Sequence, residues 1–390
     1  MLAQITRTLV LTAALAVPGA ALAQEAVKIG LILPMTGPFA STGRQIEAAA
    51  RLYMSEHGEE AGGRPVELLL RDDGGVADQT RRIAQELVVR EGANVLAGFG
   101  LTPLALATAP ISTEARIPTI VMAAATSSIT EQSDYIVRSS FTLAQVTAPL
   151  AEWAAENDIA SVVTLVADYG PGLDAERAFS ETFTGAGGTI VEAIRVPVAN
   201  PDFAPFLQRV RDGAPDAVFA FVPSGVGSAL MRQFADRGLA EAGIRLIATG
   251  DVTDDDILND MGAPAVGTIT SHHYSAAHDS PENQAFREAF EAASGGMRPN
   301  FMAVGGYDGM HLIYQALNDT DGDSDGDAML EAMKGMEWTS VRGPVSIDPE
   351  TRDIVQTVYM REVKDVDGQL WNVEFAETPA VKDPVKAAAN

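Results

Sequence analysis

A chain of 390 residues with 53 acidic against 27 basic side chains carries a formal net charge of −26 at pH 7, which repels nucleic acid and anionic membrane surfaces. It contains no cysteine, so a disulfide framework, a thiolate metal centre and thiol redox chemistry are all excluded. A hydrophobic content of 46% argues for packed cores, and the length suits two domains of roughly 150 to 200 residues.

Residues 1–23 read as an export leader. Arg7 supplies a positive start, Leu9 to Val17 a short apolar core, and Ala21-Leu22-Ala23 a small-residue cleavage pattern, so cleavage is expected after Ala23 and the periplasm is the expected location. No stretch approaches ~20 uninterrupted apolar residues, so no transmembrane helix is expected. Without a cysteine to carry a lipid, a freely diffusing protein is the expectation.

From Val27 onward short apolar runs alternate with amphipathic stretches. VKIGLIL is a strand, Gln45 to Glu56 a helix, VELLL a strand, and Asp78 to Arg90 a helix that starts on an aspartate cap. The next stretch, Asn94 to Thr126, is a strand (Val95 to Gly98), a glycine-containing turn, a helix and a second strand (Thr119 to Ala124), followed by the short run YIVRSS. A second series starts near Leu143 with a helix to about Asn157. It continues through SVVTLVAD, a helix from Leu173 to Thr184, TIVEAIRV, a helix from Phe203 to Arg211, AVFAFVP, a helix from Ser224 to Arg237, and IRLIATGD. After VGTITSHHY come two helices, Pro281 to Ala293 and Phe301 to Asn318, and then a hairpin turning at Asp367-Gly368, with a frayed tail from Lys382.

Strand and helix alternating in this way predict α/β architecture: two doubly wound parallel-sheet lobes joined by a multi-crossover hinge. Lobe 1 is expected to comprise residues 24–142 plus 275–345, and lobe 2 residues 143–274 plus 346–390. Ligands of such sheets sit beyond the carboxyl ends of the strands. In the stretch from Asn94 to Thr126, Gly98, Gly100, Ala123, Ala124 and Ala125 let a ligand approach main chain, and Thr102 before Pro103 is the expected N-cap with proline at N1. The helix start then offers N–H groups to an anion, and a small carboxylate is the natural occupant.

The segments IGLILPMTGPFASTGRQIEAAARL, LLRDDGGVADQTRRIAQEL, AGFGLTPLALATAPI, VMAAATSSIT, LVADYGPG, NPDFAPFLQRVRDGAPDAVF and FMAVGGYDGMHLIYQAL cover nearly the whole chain after the leader. Together and in this order they resemble the type I periplasmic solute-binding proteins of ABC importers, in the leucine/isoleucine/valine-binding branch. The resemblance implies a clamshell that closes on a branched-chain amino acid or related small carboxylate and presents it to an inner-membrane ABC permease. It implies a ligand carboxylate held by Ala124 and Thr126, with Leu101 and Thr102 at the neighbouring strand end. On the second lobe it implies an aromatic, Tyr169, and an acid, Asp251, for the ligand's ammonium.

The chain departs from the family pattern at the walls of the expected pocket. Ser41 and Thr42 stand where some relatives have an aromatic, Leu101 where a serine is frequent, and Ser224 and Gly225 where another aromatic is common. Thr42 and Ser224 are therefore expected as smaller wall residues, and a larger ligand such as an aromatic carboxylic acid is the alternative. His272 and His273 are expected in a polar hinge segment, and with His278 they lack a suitably spaced acid for a metal site. The acidic run from Asp319 to Asp327 has Ala332 where a calcium loop needs a bidentate glutamate, so a solvated loop is expected. No nucleophile, zinc or nucleotide motif is present, and neither catalysis nor a cofactor or metal is expected. A ligand-sensing regulator or receptor of the same fold is the rival reading.

Overall fold

The computed structural model describes residues 25–198 and 201–387, so the expected leader lies outside the described residues. The chain opens with strand β1 (Val27–Leu33), helix α1 (Ala40–His57), β2 (Glu60–Ala61), β3 (Arg64–Asp72), helix α2 (Ala77–Glu86), β4 (Val95–Gly98), helix α3 (Thr102–Ala115), β5 (Thr119–Val121) and β6 (Ile136–Arg138). These strands form one sheet in the order β2-β3-β1-β4-β5-β6, parallel apart from the short β2 hairpin. Its central strand is buried on both faces. Ile29, Leu31 and Leu33 join one apolar cluster, while Ile32 joins Leu96 and Leu104 in another. That two-sided burial is what turned VKIGLIL into a continuous apolar run.

The second lobe follows as α4 (Leu143–Glu156), β7 (Ser161–Ala167), α5 (Gly170–Gly185), β8 (Thr189–Val196), α6 (Ala204–Gly213), β9 (Ala217–Phe221), α7 (Gly227–Asp236), β10 (Arg245–Thr249), α8 (Leu258–Met261) and β11 (Ile269–His272). A reciprocal capping box starts α4, with the Gln145 N–H donating to the Thr142 hydroxyl at 3.2 Å. Helices α9 (Pro281–Ser294), α10 (Phe301–Asp319) and α11 (Gly326–Met333) return to the first lobe, where α10 packs along α1. The chain closes with β12 (Glu337–Ser340), β13 (Gly343–Ile347), β14 (Ile354–Val366), β15 (Gln369–Val381) and the short helix α12 (Pro384–Ala387). The second sheet runs β12-β13-β14-β11-β10-β9-β7-β8, with β15 on β14.

Several expectations change in the folded chain. Strands β12 and β13, grouped with the first lobe in the sequence reading, hydrogen-bond into the second sheet through β14. Asp78 lies in the first turn of α2 and Val76 holds the N-cap position, because Asp73 already takes the Thr80 hydroxyl and the Gly75 N–H. The acidic run is a turn and loop over residues 320–325, as expected, and its end enters α11, which Asp325 caps. The expected frayed tail is docked as far as it is described, to Ala387, since Lys386 is buried with its ammonium on Asp353 and Thr130. The turn of the last hairpin is as its sequence suggests: Asp367 and Gly368 both take positive φ, 54° and 81°, as a type I′ turn requires.

Three connections pass between the lobes, at residues 139–142, 273–280 and 334–336. Buried side chains from the second sheet fasten the first of them. Arg342 donates to the Ser139 and Ser140 carbonyls and pairs with Asp308 at 2.8 Å, and Gln356 donates to the Ser140 carbonyl.

Candidate functional site

The carboxyl ends of β4 and β5 meet those of β7, β9 and β10 across a cleft. It is a narrow hollow lined from both lobes, among others by Thr42, Leu101, Thr102, Ala124, Tyr169, Ser224 and Asp251. Seven of the eight residues singled out from the sequence thus converge on one hollow. The eighth, Thr126, stands just behind, its Oγ1 2.9 Å from Thr102 Oγ1.

On the first lobe the chain turns sharply after β4, with Gly98 at φ 110° and Phe99 at φ 67°. Helix α3 then begins at Thr102, with Leu101 as its N-cap and no side-chain cap, and Pro103 one position inside. Thr102 was expected to be the cap. Its hydroxyl is instead committed to Thr126; Pro103 has no N–H and the Leu104 N–H donates to the Leu101 carbonyl at 3.0 Å, so the Thr102 N–H and the positive end of the helix dipole are what this helix start brings to the cleft.

The neighbouring strand end differs from expectation in a similar way. The Ala124 N–H donates to the Phe99 carbonyl at 3.0 Å and is not free for a ligand. Arg138, wholly buried beneath, donates to the Ala124 and Thr126 carbonyls at 2.7 Å each and to the Phe141 carbonyl at 3.1 Å. A trans peptide places C=O and N–H on opposite sides. With the Ala124 carbonyl turned to Arg138, the Ala125 N–H points the other way, towards the side where Ala123, Ala124 and Ala125 line the cleft. Asp353 at 2.8 Å compensates the Arg138 charge from below.

On the second lobe Tyr169 is the N-cap of α5 and its ring lies parallel to Phe221, centroids 6.1 Å apart. Burial, and after it the charge of Asp251, hold the Tyr169 phenol well above its usual range, so it stays a hydroxyl. Gly172 lets α5 pack on the end of β7, because a Cβ there would stand 1.8 Å from the Ala167 carbonyl oxygen. Asp251 follows β10 and accepts from the Thr249 hydroxyl at 3.0 Å. His272 and His273 do not line the cleft. They lie fully buried behind it, with His272 Nε2 3.6 Å from Asp251. Burial holds the His272 imidazole down to about 4, despite Asp251, so it is neutral at pH 7.

The aromatic wall is larger than the residue pattern suggests. Phe39, two residues before Ser41, supplies an aromatic from the loop after β1, and Phe141 and Phe221 add two more, with Met302 beside them. Phe221 was legible in principle. It is the last residue of β9, and the final positions of parallel strands form the rim of such sites. Phe141 was not, since a hinge residue has no periodicity to betray it.

The lobes are in contact around the cleft. Ser41 at the start of α1 hydrogen-bonds Asp256, and the Ser127 N–H donates to Asp174 at 2.9 Å. Asn300, the N-cap of α10, donates to both oxygens of Asp254 at 2.9 and 3.0 Å. Burial is the chief reason the Asp254 carboxyl is pushed up to about 7, with Asp256 adding to it. A carboxyl raised in the folded state contributes stability that is present below its unfolded value near 4 and is lost as pH rises through about 7. Melting curves from pH 4 to 8 should therefore show a falling component of about 2 to 4 kcal/mol that Asp254→Asn removes.

The sequence model of the periplasmic binding protein family matches residues 26–369. Leu/Ile/Val-binding protein homolog 6 of Brucella abortus (strain 2308) is 47% identical over 365 residues, 92% of this chain and 93% of its own. The solved solute binding protein of an ABC transporter from Rhodopseudomonas palustris BisB5, in complex with 3,4-dihydroxybenzoic acid, is 58% identical with a TM-score of 0.91. That match spans 93% of this chain and 99% of that one. The corresponding protein from Rhodopseudomonas palustris HaA2, in complex with p-hydroxybenzoic acid, is 42% identical with a TM-score of 0.90, over 93% and 100% of the two chains.

Proposed function

The chain belongs to the periplasmic binding protein family, as an ABC-transporter solute-binding protein of the Leu/Ile/Val type, and from that premise we propose that its ligand is an aromatic carboxylic acid. Proteins of this family bind small molecules and deliver them to ABC permeases from a periplasmic or exported location. No helix among the described residues is long and apolar enough to cross a membrane. Export with cleavage after Ala23, and a role without catalysis, complete the reading.

The observation that carries the proposal is the cleft wall. Phe39, Phe141, Tyr169 and Phe221 surround the cavity with Met302, and small residues, Gly100 and Ala123 to Ala125, form its floor. A flat ring gains most from such a wall, because aromatic faces and edges contribute beyond simple area burial. The carboxylate then lies against the α3 N-terminus and the Ala125 N–H, which neutralise it with dipoles and no cation. Both structural relatives named above hold hydroxylated benzoic acids, which supports this choice. The second reading, a branched-chain amino acid, is favoured by the Brucella relative's name and by Asp251 as a partner for an ammonium.

Calorimetric titration with benzoate, p-hydroxybenzoate, leucine, isoleucine, valine and phenylalanine separates the two. We expect a Kd of about 1 μM or tighter for at least one benzoate, and at least about tenfold weaker binding of leucine. Preference for leucine would return the site to amino acids, and silence across the panel would favour the ligand-sensing receptor.

A further inference from the structure

Behind the cleft, His272 is an unusual buried group. It is wholly inaccessible, and neither of its ring nitrogens has a hydrogen-bond partner. Buried polar atoms without partners are rare and costly, so each one calls for a reason. Its ring is wedged among Phe141, His273 and Phe301, with centroids 4.8, 4.5 and 4.2 Å away, so it cannot swing to another partner. The cations on its far side are already engaged: Arg361 on the Tyr274 carbonyl and Thr270, Arg342 on the Ser139 and Ser140 carbonyls and Asp308. The acceptor in reach is Asp251, whose Oδ2 stands 3.6 Å from His272 Nε2, a few tenths of an ångström beyond a hydrogen bond.

Asp251 is the carboxylate that faces the cleft, and its Oδ2 is already held from one side by Thr249. We infer that His272 is a positioning residue: in the ligand-bound cleft its Nε2–H donates to Asp251, fixing the carboxylate to accept a ring hydroxyl from the aromatic acid. The inference rests on the aromatic reading and adds to it a selectivity. A ligand that brings a hydroxyl satisfies the other oxygen of a desolvated carboxylate, whereas unsubstituted benzoate leaves that Oδ1 without a donor. Ser224, buried at the same end, has a hydroxyl that lies beside Asp254 without reaching hydrogen-bond geometry, so a second ring hydroxyl would also find a partner.

The test compares benzoate and p-hydroxybenzoate by calorimetry on the wild type, H272F, H272M and H272Q, with melting curves to confirm folding. Wild type should prefer p-hydroxybenzoate by about ten- to a hundredfold, the range of a hydrogen bond to a charged group. Removing the donor in H272F or H272M should bring the two acids to within about threefold by weakening only the hydroxylated one, and the amide of H272Q should restore most of the preference. Equal weakening of both acids, or a preference untouched by H272F and H272M, overturns the inference by showing His272 to be packing alone. A wild type that binds both acids equally overturns it while leaving the aromatic reading intact. Binding of neither acid overturns both.

Discussion

Replacing Arg138 with methionine is expected to cost about 3 to 5 kcal/mol of folding stability and to abolish ligand binding in the same protein. The guanidinium is fully buried and serves two structures at once. Below, it pairs with Asp353, which also takes the Lys386 ammonium, so its loss leaves a buried carboxylate half-compensated. Above, it holds the Ala124, Thr126 and Phe141 carbonyls, and methionine can satisfy none of them. The Ala124 carbonyl shares its peptide with the Ala125 N–H and so sets its direction, and the expected anion end of the cleft loses its orientation along with the fold's stability. Lys386→Met is the control: it disturbs the same carboxylate but touches none of the three carbonyls. It should lower the melting temperature and leave affinity within about threefold. If Arg138→Met binds ligand normally once folded, the anion site does not depend on that peptide.

Replacing Tyr169 with alanine is expected to weaken binding by about 2 to 4 kcal/mol, roughly 30- to 1,000-fold in Kd, with little change in stability of the ligand-free protein. The ring is one face of the cavity and is stacked on Phe221, so its removal opens the hollow to water and strips the ligand of its largest second-lobe contact. Because Tyr169 belongs to the second lobe and α3 to the first, the variant also loses much of the free-energy difference that drives closure: a ligand shifts the open-closed balance only by what it gains from touching both lobes. Scattering should then show the wild type contracting on ligand addition and Tyr169→Ala failing to do so at the same ligand concentration. Tyr169→Phe divides the effect, since the stacked ring remains and only the hydroxyl goes. Retention of most of the affinity in Tyr169→Phe assigns the contribution to the ring face.

The two variants also mark the border between what can be read along a chain and what cannot. Tyr169 could be singled out because it precedes Gly170, Pro171 and Gly172 at the end of an apolar strand, where a large aromatic has no core to fill. Arg138 could not. In YIVRSS it is one arginine in a short apolar run, and its three carbonyl partners lie 14, 12 and 3 residues away, with Asp353 215 residues away. Residue type likewise named Thr102 as a cap, whereas the fold brings Thr126 within 2.9 Å and a hydroxyl bond across the strand ends takes precedence. The aromatic wall was undercounted because Phe39 and Phe141 lie in a loop and a crossover, where no period reveals which way a side chain points.

By itself the sequence determined the class of the molecule and pointed to the strand ends as the place of its proposed site. Strand-helix alternation depends on burial period, a local property, and it dictates parallel sheets whose carboxyl ends carry small residues and helix starts. Charge, the missing cysteines and the ordered segments narrowed the function to capture of a small carboxylate. Only the tertiary structure decided which N–H groups are free, how many rings close around the cavity, and that a neutral, partnerless imidazole stands behind Asp251. Those features depend on contacts between residues tens to hundreds of positions apart, and hydrogen-bond directions of that kind exist only once both lobes have folded and met.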